Sequence, residues 1–265
     1  MLQEFIPERQ FDLKEHKTMD KDLQILFKDY VLKEMSEVLS AEKLSQFCLY
    51  FDEIIEWNKK FNLISFKDEK DLLFRHFCDS LYGVKLIKEL SASAQLKIAD
   101  IGTGAGLPGI PVKFAFPQSH ITLIESISKK CSFLKNINEK LNLNMEILNA
   151  RCEEIGQDKK YRGSFDFVLS RAVCKMRANL EISIPLLKKN GCFLVYKTKN
   201  SLDDEREGIK SSQNALNQLG AKMHKLFDYR IENYENNYCI AVFKKIKDTP
   251  NQFPRKTGIP EKNPL

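Results

Sequence analysis

The chain has 265 residues, a formal net charge of +6, 43% hydrophobic and 29% charged side chains. That length allows one large domain or two small ones, with a core that needs no staples, and the composition excludes a disordered, collagen-like or coiled-coil chain. The longest stretch without a charge, between Asp100 and Lys113, holds 12 residues, short of the about 20 that a membrane span needs.

The start, MLQEFIPERQFDLKEH, lacks the apolar run of a signal peptide, and the first 20 residues read as a flexible leader. Residues 21–95 read as helical. Leu44, Phe47, Cys48, Phe51, Ile54 and Ile55 recur at three- and four-residue steps, which gives one apolar helix face. Asp68 can cap a following helix that carries Leu72, Leu73 and Phe77. Ser91-Ala92-Ser93-Ala94 is a short joint. From Leu96 the pattern changes. Candidate strands are Leu96–Ile101, His120–Glu125, Asn144–Leu148, Phe165–Ser170, Cys192–Lys197, Ala221–Tyr229 and Tyr238–Lys244, with helices such as Ser128–Leu141 and Leu180–Lys188 between the earlier ones. Such alternation predicts an α/β fold, a mostly parallel sheet covered on both faces. The last two runs, joined by Ile231–Asn237, predict an antiparallel hairpin at its edge. This domain spans residues 96–246, and a basic tail spans 247–265.

Charge is uneven. Residues 1–95 carry 14 basic and 18 acidic side chains, and the remainder carry 28 and 18. A basic C-terminal half suits a phosphate-rich partner but equally a solvated lysine-rich surface. The seven cysteines form no CxxC pair and the four histidines never fall at ligand spacing. Buried reduced thiols are expected, and no metal centre.

The informative segment is Asp100-Ile101-Gly102-Thr103-Gly104-Ala105-Gly106-Leu107-Pro108-Gly109. It follows a strand and opens a helix, the context of a cofactor loop whose helix-start N–H groups can hold a polar ligand. The glycines stand at every second residue, unlike the G-x-G-x-x-G of dinucleotide sites. The string looks like motif I of methyltransferases that use S-adenosylmethionine. Glu125 ends the second strand, where a carboxylate can accept from two ribose hydroxyls. Cys152 and Glu153 follow the third strand and Arg171 the fourth, at the carboxyl edge where ligands bind. For Glu153 a favourable helix-start charge, and for Arg171 a surface ion pair, are the plainer alternatives.

The motifs Trp57-Asn58-Lys59-Lys60-Phe61-Asn62-Leu63, Arg75-His76-Phe77-Cys78-Asp79-Ser80-Leu81, Asp100 to Pro111, Arg151 to Glu154, Ser170-Arg171-Ala172 and Pro254-Arg255-Lys256-Thr257-Gly258-Ile259-Pro260, taken in order, resemble the RsmG (GidB) family of guanine-N7 methyltransferases of 16S ribosomal RNA. The likeness runs from about Leu44 to Leu265. It implies a Rossmann-like class I methyltransferase sheet with a helical N-terminal extension and S-adenosylmethionine as cofactor. It also implies cofactor contacts at Asp100, Gly102, Gly104, Gly106, Leu107, Glu125, Cys152, Glu153 and Arg171. The chain departs from the family in having Glu125 where Asp is usual, and Ile64 where the family has Thr.

Guanine N7 carries an in-plane lone pair and no proton, so no catalytic base is expected; the enzyme has to position the base. Asn62, Arg75, His76, Asp79 and Lys197 are the substrate-side candidates. For Arg75, His76 and Asp79 an interdomain hydrogen-bond network is the alternative to RNA contact. Arg255, Lys256 and Lys262 could meet phosphate, or the tail could fold back on the domain. Replacing Arg171 with Ala is expected to abolish transfer with the fold intact. The resemblance implies a cytoplasmic enzyme of the small ribosomal subunit, with neither membrane nor metal, acting as a monomer. The rivals are a methyltransferase for another RNA, a protein or a small molecule, a nucleic-acid-binding protein with a relic cofactor fold, and a nicotinamide-dependent oxidoreductase.

Overall fold

The computed structural model describes residues 19–203, 208–232, 234 and 237–265. The expected leader therefore lies, but for Met19 and Asp20, outside the described residues. The regular elements of the N-terminal region are all helical: α1 (Lys21–Met35), α2 (Ala41–Asn58), α3 (Glu69–Leu72), a π-helical segment Leu73–Cys78, and α4 (Asp79–Leu90). Each start has a physical cause. The side chains of Asp20, Ser40 and Asp68 accept from the backbone N–H of Asp22, Lys43 and Asp71, which satisfies donors that the first turn leaves unpaired.

Among the described residues the strands number seven: β1 (Lys97–Ile101), β2 (His120–Glu125), β3 (Glu146–Asn149), β4 (Phe165–Arg171), β5 (Leu187–Thr198), β6 (Ala221–Arg230) and β7 (Asn237–Lys245). They form one sheet in the order β3-β2-β1-β4-β5-β7-β6. The first five are parallel; β7 runs antiparallel to both β5 and β6. The expected hairpin is present, with β6 as the outermost strand and β7 inserted beside β5. Helices α5 (Gly109–Ala115), α6 (Ser128–Lys140), α7 (Cys152–Gln157), α8 (Met176–Ser183), α9 (Lys199–Asp203), α10 (Gln213–Leu219) and α11 (Ile259–Lys262) complete the chain.

Alternate residues of each strand serve two cores, as a sheet covered on both faces requires. Ile98, Leu123, Leu169, Leu194 and Val242 pack with α1, α2, α4, α5 and α6 on one side. Ala99, Ile124, Val168, Phe193 and Phe243 pack with α7, α8 and α10 on the other. The helical region and the sheet thus share a core. Its centre is an aromatic knot in which Phe47 meets Phe27 at 4.9 Å and Phe114 at 4.7 Å, and Tyr50 meets Phe77 at 5.0 Å.

The helix expected over Leu180–Lys188 lies earlier in the chain. It spans Met176–Ser183, then tightens to a 3-10 turn over Ile184–Leu186 before β5 starts at Leu187. Pro185 lacks the N–H that an α-helix would use and restricts the residue before it. The C-terminal tail folds back on the domain through Arg255, one of the two readings left by its charge, while Lys256 and Lys262 stay exposed. Glu181 is fully buried and takes Arg255 in a two-pronged pair, Nε to Oε1 at 2.8 Å and Nη2 to Oε2 at 2.6 Å. Arg162 donates to the carbonyls of Phe253, Thr249 and Pro250. No helix among the described residues is long and apolar enough to cross a membrane.

Candidate active site

The site is built at the carboxyl ends of β1 and β4, where the strand order reverses and α/β sheets open a crevice. The β1–α5 loop is held from several directions. Asp100 Oδ2 accepts from Thr103 Oγ1 at 2.5 Å and from Gly109 N at 2.9 Å. Glu125 accepts from Gly104 N at 3.0 Å through Oε2 and from Ile127 N at 2.8 Å through Oε1. Tyr50, fully buried on α2, donates to Ala105 O at 2.7 Å. The expectation that helix-start N–H groups would be open to a ligand meets a correction here. Gly109 N is taken by Asp100, and Ile110 N donates to Gly106 O at 2.7 Å.

Gly104 has φ of +61°, and a Cβ added there would find nothing nearer than 4.0 Å. Both facts call for glycine if something must approach the loop: the left-handed region disfavours side chains, and the space in front of the loop is open. At Gly102, with φ of +58°, a Cβ would lie 2.7 Å from Val173.

Two clefts flank the loop. The larger, about 570 Å³, brings Asn62, Arg75, His76, Asp79 and Lys197 together with Gly102, Gly104, Leu107 and Arg171. The smaller, about 120 Å³, is lined by Cys152 and Glu153 and by Pro260 and Glu261 of the tail, and Gly102 belongs to both. The remaining expected residues, Asp100, Gly106 and Glu125, stand behind the walls and hold the loop. The Glu153 carboxylate accepts from Gly258 N at 2.9 Å, so that side chain anchors the tail. Lys197 donates to Cys174 O at 3.0 Å. Burial pushes the Cys152 thiol up to about 12, so it remains protonated.

The wall between helices and sheet is a connected polar network. The π-helical turn widens the backbone where Arg75 and His76 project, a distortion frequent at functional sites. Arg171 is largely buried. Its Nη1 donates to Asp79 Oδ2 at 3.2 Å and to Arg75 O at 3.3 Å, and its Nη2 faces His76 Nδ1 at 3.0 Å. His76 Nε2 lies 3.1 Å from Ser65 O. A carbonyl only accepts and a guanidinium only donates, so Nε2 carries the proton and Nδ1 is the acceptor. Burial, then the Arg171 and Arg75 charges, lower the His76 pKa to about 3. Both ring nitrogens of this neutral imidazole are therefore occupied.

Asp79 Oδ1 accepts from Tyr229 at 2.5 Å; burial raises its pKa, against the opposing pull of Arg171. Burial would also raise Asp71, but the Tyr234 hydroxyl, Lys67 N–H and Arg75 bring it below the usual carboxylate value. Asp71 in turn pins Arg75 by a 3.3 Å ion pair. The interdomain hydrogen-bond network weighed for Arg75, His76 and Asp79 is present, and the same three residues line the larger cleft. Arg171 lines the cleft, and its ion pair with Asp79 is buried rather than the surface pair weighed as its alternative.

His76 yields a pH prediction. In the unfolded chain it protonates below about 6.5, whereas the folded site resists protonation down to about 3. Its contribution to stability is complete above pH 6.5 and is lost as pH falls toward 3, with a slope of at most about 1.4 kcal/mol per pH unit. The stability gap between the wild type and His76→Asn, measured by urea unfolding, should narrow from pH 7.5 to pH 4.5. Parallel profiles would refute the neutral buried imidazole.

Several cleft residues were not singled out from sequence: Thr103, Lys130, Tyr196, Tyr229 and Tyr238. The two last had a usable signal. They end the facing strands of the expected hairpin and are register partners in it. Asn58 orders the wall from behind, accepting from Leu63 N and Ile64 N.

The model of the family described as rRNA small subunit methyltransferase G (GidB) matches residues 43–232. The Ribosomal RNA small subunit methyltransferase G of Lysinibacillus sphaericus (strain C3-41) is 35% identical over 235 residues, 88% of this chain and 96% of that protein. The protein of the same name from Lactococcus lactis subsp. lactis (strain IL1403) is 38% identical over the same shares. Among solved structures, a candidate sarcosine dimethylglycine methyltransferase from Galdieria sulphuraria superposes with a TM-score of 0.52 at 12% identity, covering 66% of this chain and 86% of that one. That likeness concerns the fold alone.

Proposed function

The chain belongs to the rRNA small subunit methyltransferase G (GidB) family, and from that membership we propose that it transfers a methyl group from S-adenosylmethionine to N7 of a guanine in 16S ribosomal RNA. The observation that carries the reading at the site is the meeting of the glycine loop and the Arg171 network on one cleft wall.

The residues present fit the cofactor. Asp100 Oδ1 is buried and has no hydrogen-bond partner among the described residues, and the space before Gly104 is open. Acidic groups suit a donor that carries a sulfonium and an ammonium. Gly102, Gly104, Leu107 and Arg171 on the larger cleft, and Cys152 on the smaller, would hold it, with Asp100, Gly106 and Glu125 fixing the loop. When bound, S-adenosylmethionine supplies an electrophilic methyl group.

The protein's part is positional. N7 needs no deprotonation, and the site matches that demand: His76, the nearest candidate base, has both nitrogens engaged and stays neutral. Asn62 and Arg75 line the same cleft as the loop, where they can contact the guanine edge or a flanking phosphate. Arg171 ties that wall to β4, so the substrate side and the cofactor loop share one rigid frame. Holding two reactants in such a frame removes the entropic part of the barrier. Catalysis requires the base to leave its stack, which is easiest in a single-stranded segment. We further propose that the protein acts as a metal-free monomer in the cytoplasm, where its particle is found, and that residues 21–95 contribute the RNA-side wall.

The test is transfer of labelled methyl groups to small subunits and to their isolated RNA, followed by borohydride–aniline cleavage, which cuts at 7-methylguanine. One cleavage site in the small-subunit RNA is expected. Label on another base atom, or label in ribosomal protein that survives ribonuclease, would overturn the reading.

A further inference from the structure

The mouth of the larger cleft carries a feature that the methyl-transfer reading does not use. The rings of Tyr82, Tyr229 and Tyr238 form a near-parallel set. Tyr82 and Tyr229 lie 3.9 Å apart at 28°, and Tyr229 and Tyr238 lie 5.9 Å apart at 22°. Two members are committed elsewhere: the Tyr229 hydroxyl binds Asp79, and Tyr82 binds Tyr30 and Arg230 O. Tyr196, the other aromatic on the wall, is buried with its hydroxyl on Ser80 O. Tyr238 alone of these rings is only partly buried while lining the cleft. It sits on β7 opposite Thr198 of β5 and Tyr229 of β6, so strands on both sides hold it.

We propose that Tyr238 is the stacking platform for the target guanine, an inference that rests on the rRNA reading above. Three arguments converge. An unstacked purine loses the contact of its neighbours and regains it on an aromatic face, the usual device for single-stranded nucleic acid. Methylation at N7 leaves the base cationic, and an electron-rich phenol face attracts positive charge, so the contact strengthens along the reaction. The ring is held in place before substrate arrives, because Tyr229, itself stacked on Tyr82, backs it, so little side-chain entropy remains to be lost on binding. The ring neighbour of Tyr238 is Tyr229 and its strand partners are Thr198 and Tyr229, none of them in the loop around Gly102–Gly106, so its action is assigned to the RNA side.

The experiment compares wild type, Tyr238→Ala and Tyr238→Phe in steady-state methyl transfer to the small ribosomal particle. Calorimetric binding of S-adenosylhomocysteine and thermal melting run in parallel. Removing one base–aromatic stack predicts a loss of roughly 5- to 150-fold in kcat/KM for the particle in Tyr238→Ala. Tyr238→Phe should retain most of the activity, and both variants should bind S-adenosylhomocysteine as the wild type does. If Tyr238→Ala melts early, Tyr238→Leu, which keeps apolar bulk without a π-face, must show the same loss. Unaltered kcat/KM in Tyr238→Ala, or loss of S-adenosylhomocysteine binding in step with activity, overturns the stacking site alone. A wild-type protein that methylates no small-subunit RNA overturns the underlying reading, and this proposal with it.

Discussion

Replacing Arg171 with alanine should lower the free energy of unfolding by about 3–5 kcal/mol, the usual result of stripping a buried charge of its partner, and should eliminate methyl transfer. From sequence, the variant is expected to fail in catalysis with its fold intact; the structure changes that expectation. Arg171 pairs with Asp79, whose carboxyl is almost wholly enclosed, and it bonds to His76 and to Arg75 O, so it closes the seam between helices and sheet. Without it Asp79 keeps, among the described residues, the hydrogen bond of the Tyr229 hydroxyl and the charge of Arg75.

The sign with pH follows. Burial already raises the Asp79 pKa above its unfolded value, and losing Arg171 raises it further. The folded variant then takes up a proton that the unfolded chain does not, so its stability recovers as pH falls through the folded pKa. Urea unfolding at pH 8 and pH 5 should show a smaller deficit at pH 5. The pair Arg171→Ala with Asp79→Asn should recover part of the loss at pH 8. A deficit independent of pH, with no recovery in the pair, would show that Asp79 is not the group left exposed to the penalty.

Gly104→Val should act mainly on ligand binding. The residue sits at φ of +61° with open space before it. A β-branched residue there costs about 1–2 kcal/mol in backbone strain, and its methyl groups occupy the approach to the loop. Overfilling a packed contact by that amount corresponds to about 1–3 kcal/mol, a weakening of roughly 5- to 150-fold. Calorimetry with S-adenosylhomocysteine should show this loss, or no binding at all, while urea unfolding shows a midpoint only slightly lowered. Unchanged affinity would place the cofactor elsewhere.

Seven strands and the loop between β1 and α5 were legible because alternation and glycine spacing are local signals. The position of α8 was less so, since Pro185 interrupts an otherwise continuous apolar run and moves the helix toward Met176. The network around Arg171 was half legible. Its members were identifiable as types, but their pairing needs residues 75–79 to meet residue 171 across the fold. The docking of the tail depends on Arg162 and Glu181, which give no sign in sequence of what they will hold. Tyr238 was hidden for a different reason: an aromatic at a strand end is ordinary until the register sets it against Tyr229.

The docked tail has a consequence for synthesis. Residues 253–265 are translated after the whole sheet, yet they supply the guanidinium for Glu181, the N–H for Glu153 and two residues of the smaller cleft's wall. A polypeptide cut off by a premature stop codon near residue 250 would leave Glu181 as a lone carboxylate in the apolar interior, and one side of that cleft unbuilt. Synthesis of the segment that follows the sheet is thus checked by folding: a copy that stops before it is both less able to retain a ligand and easier prey for proteases.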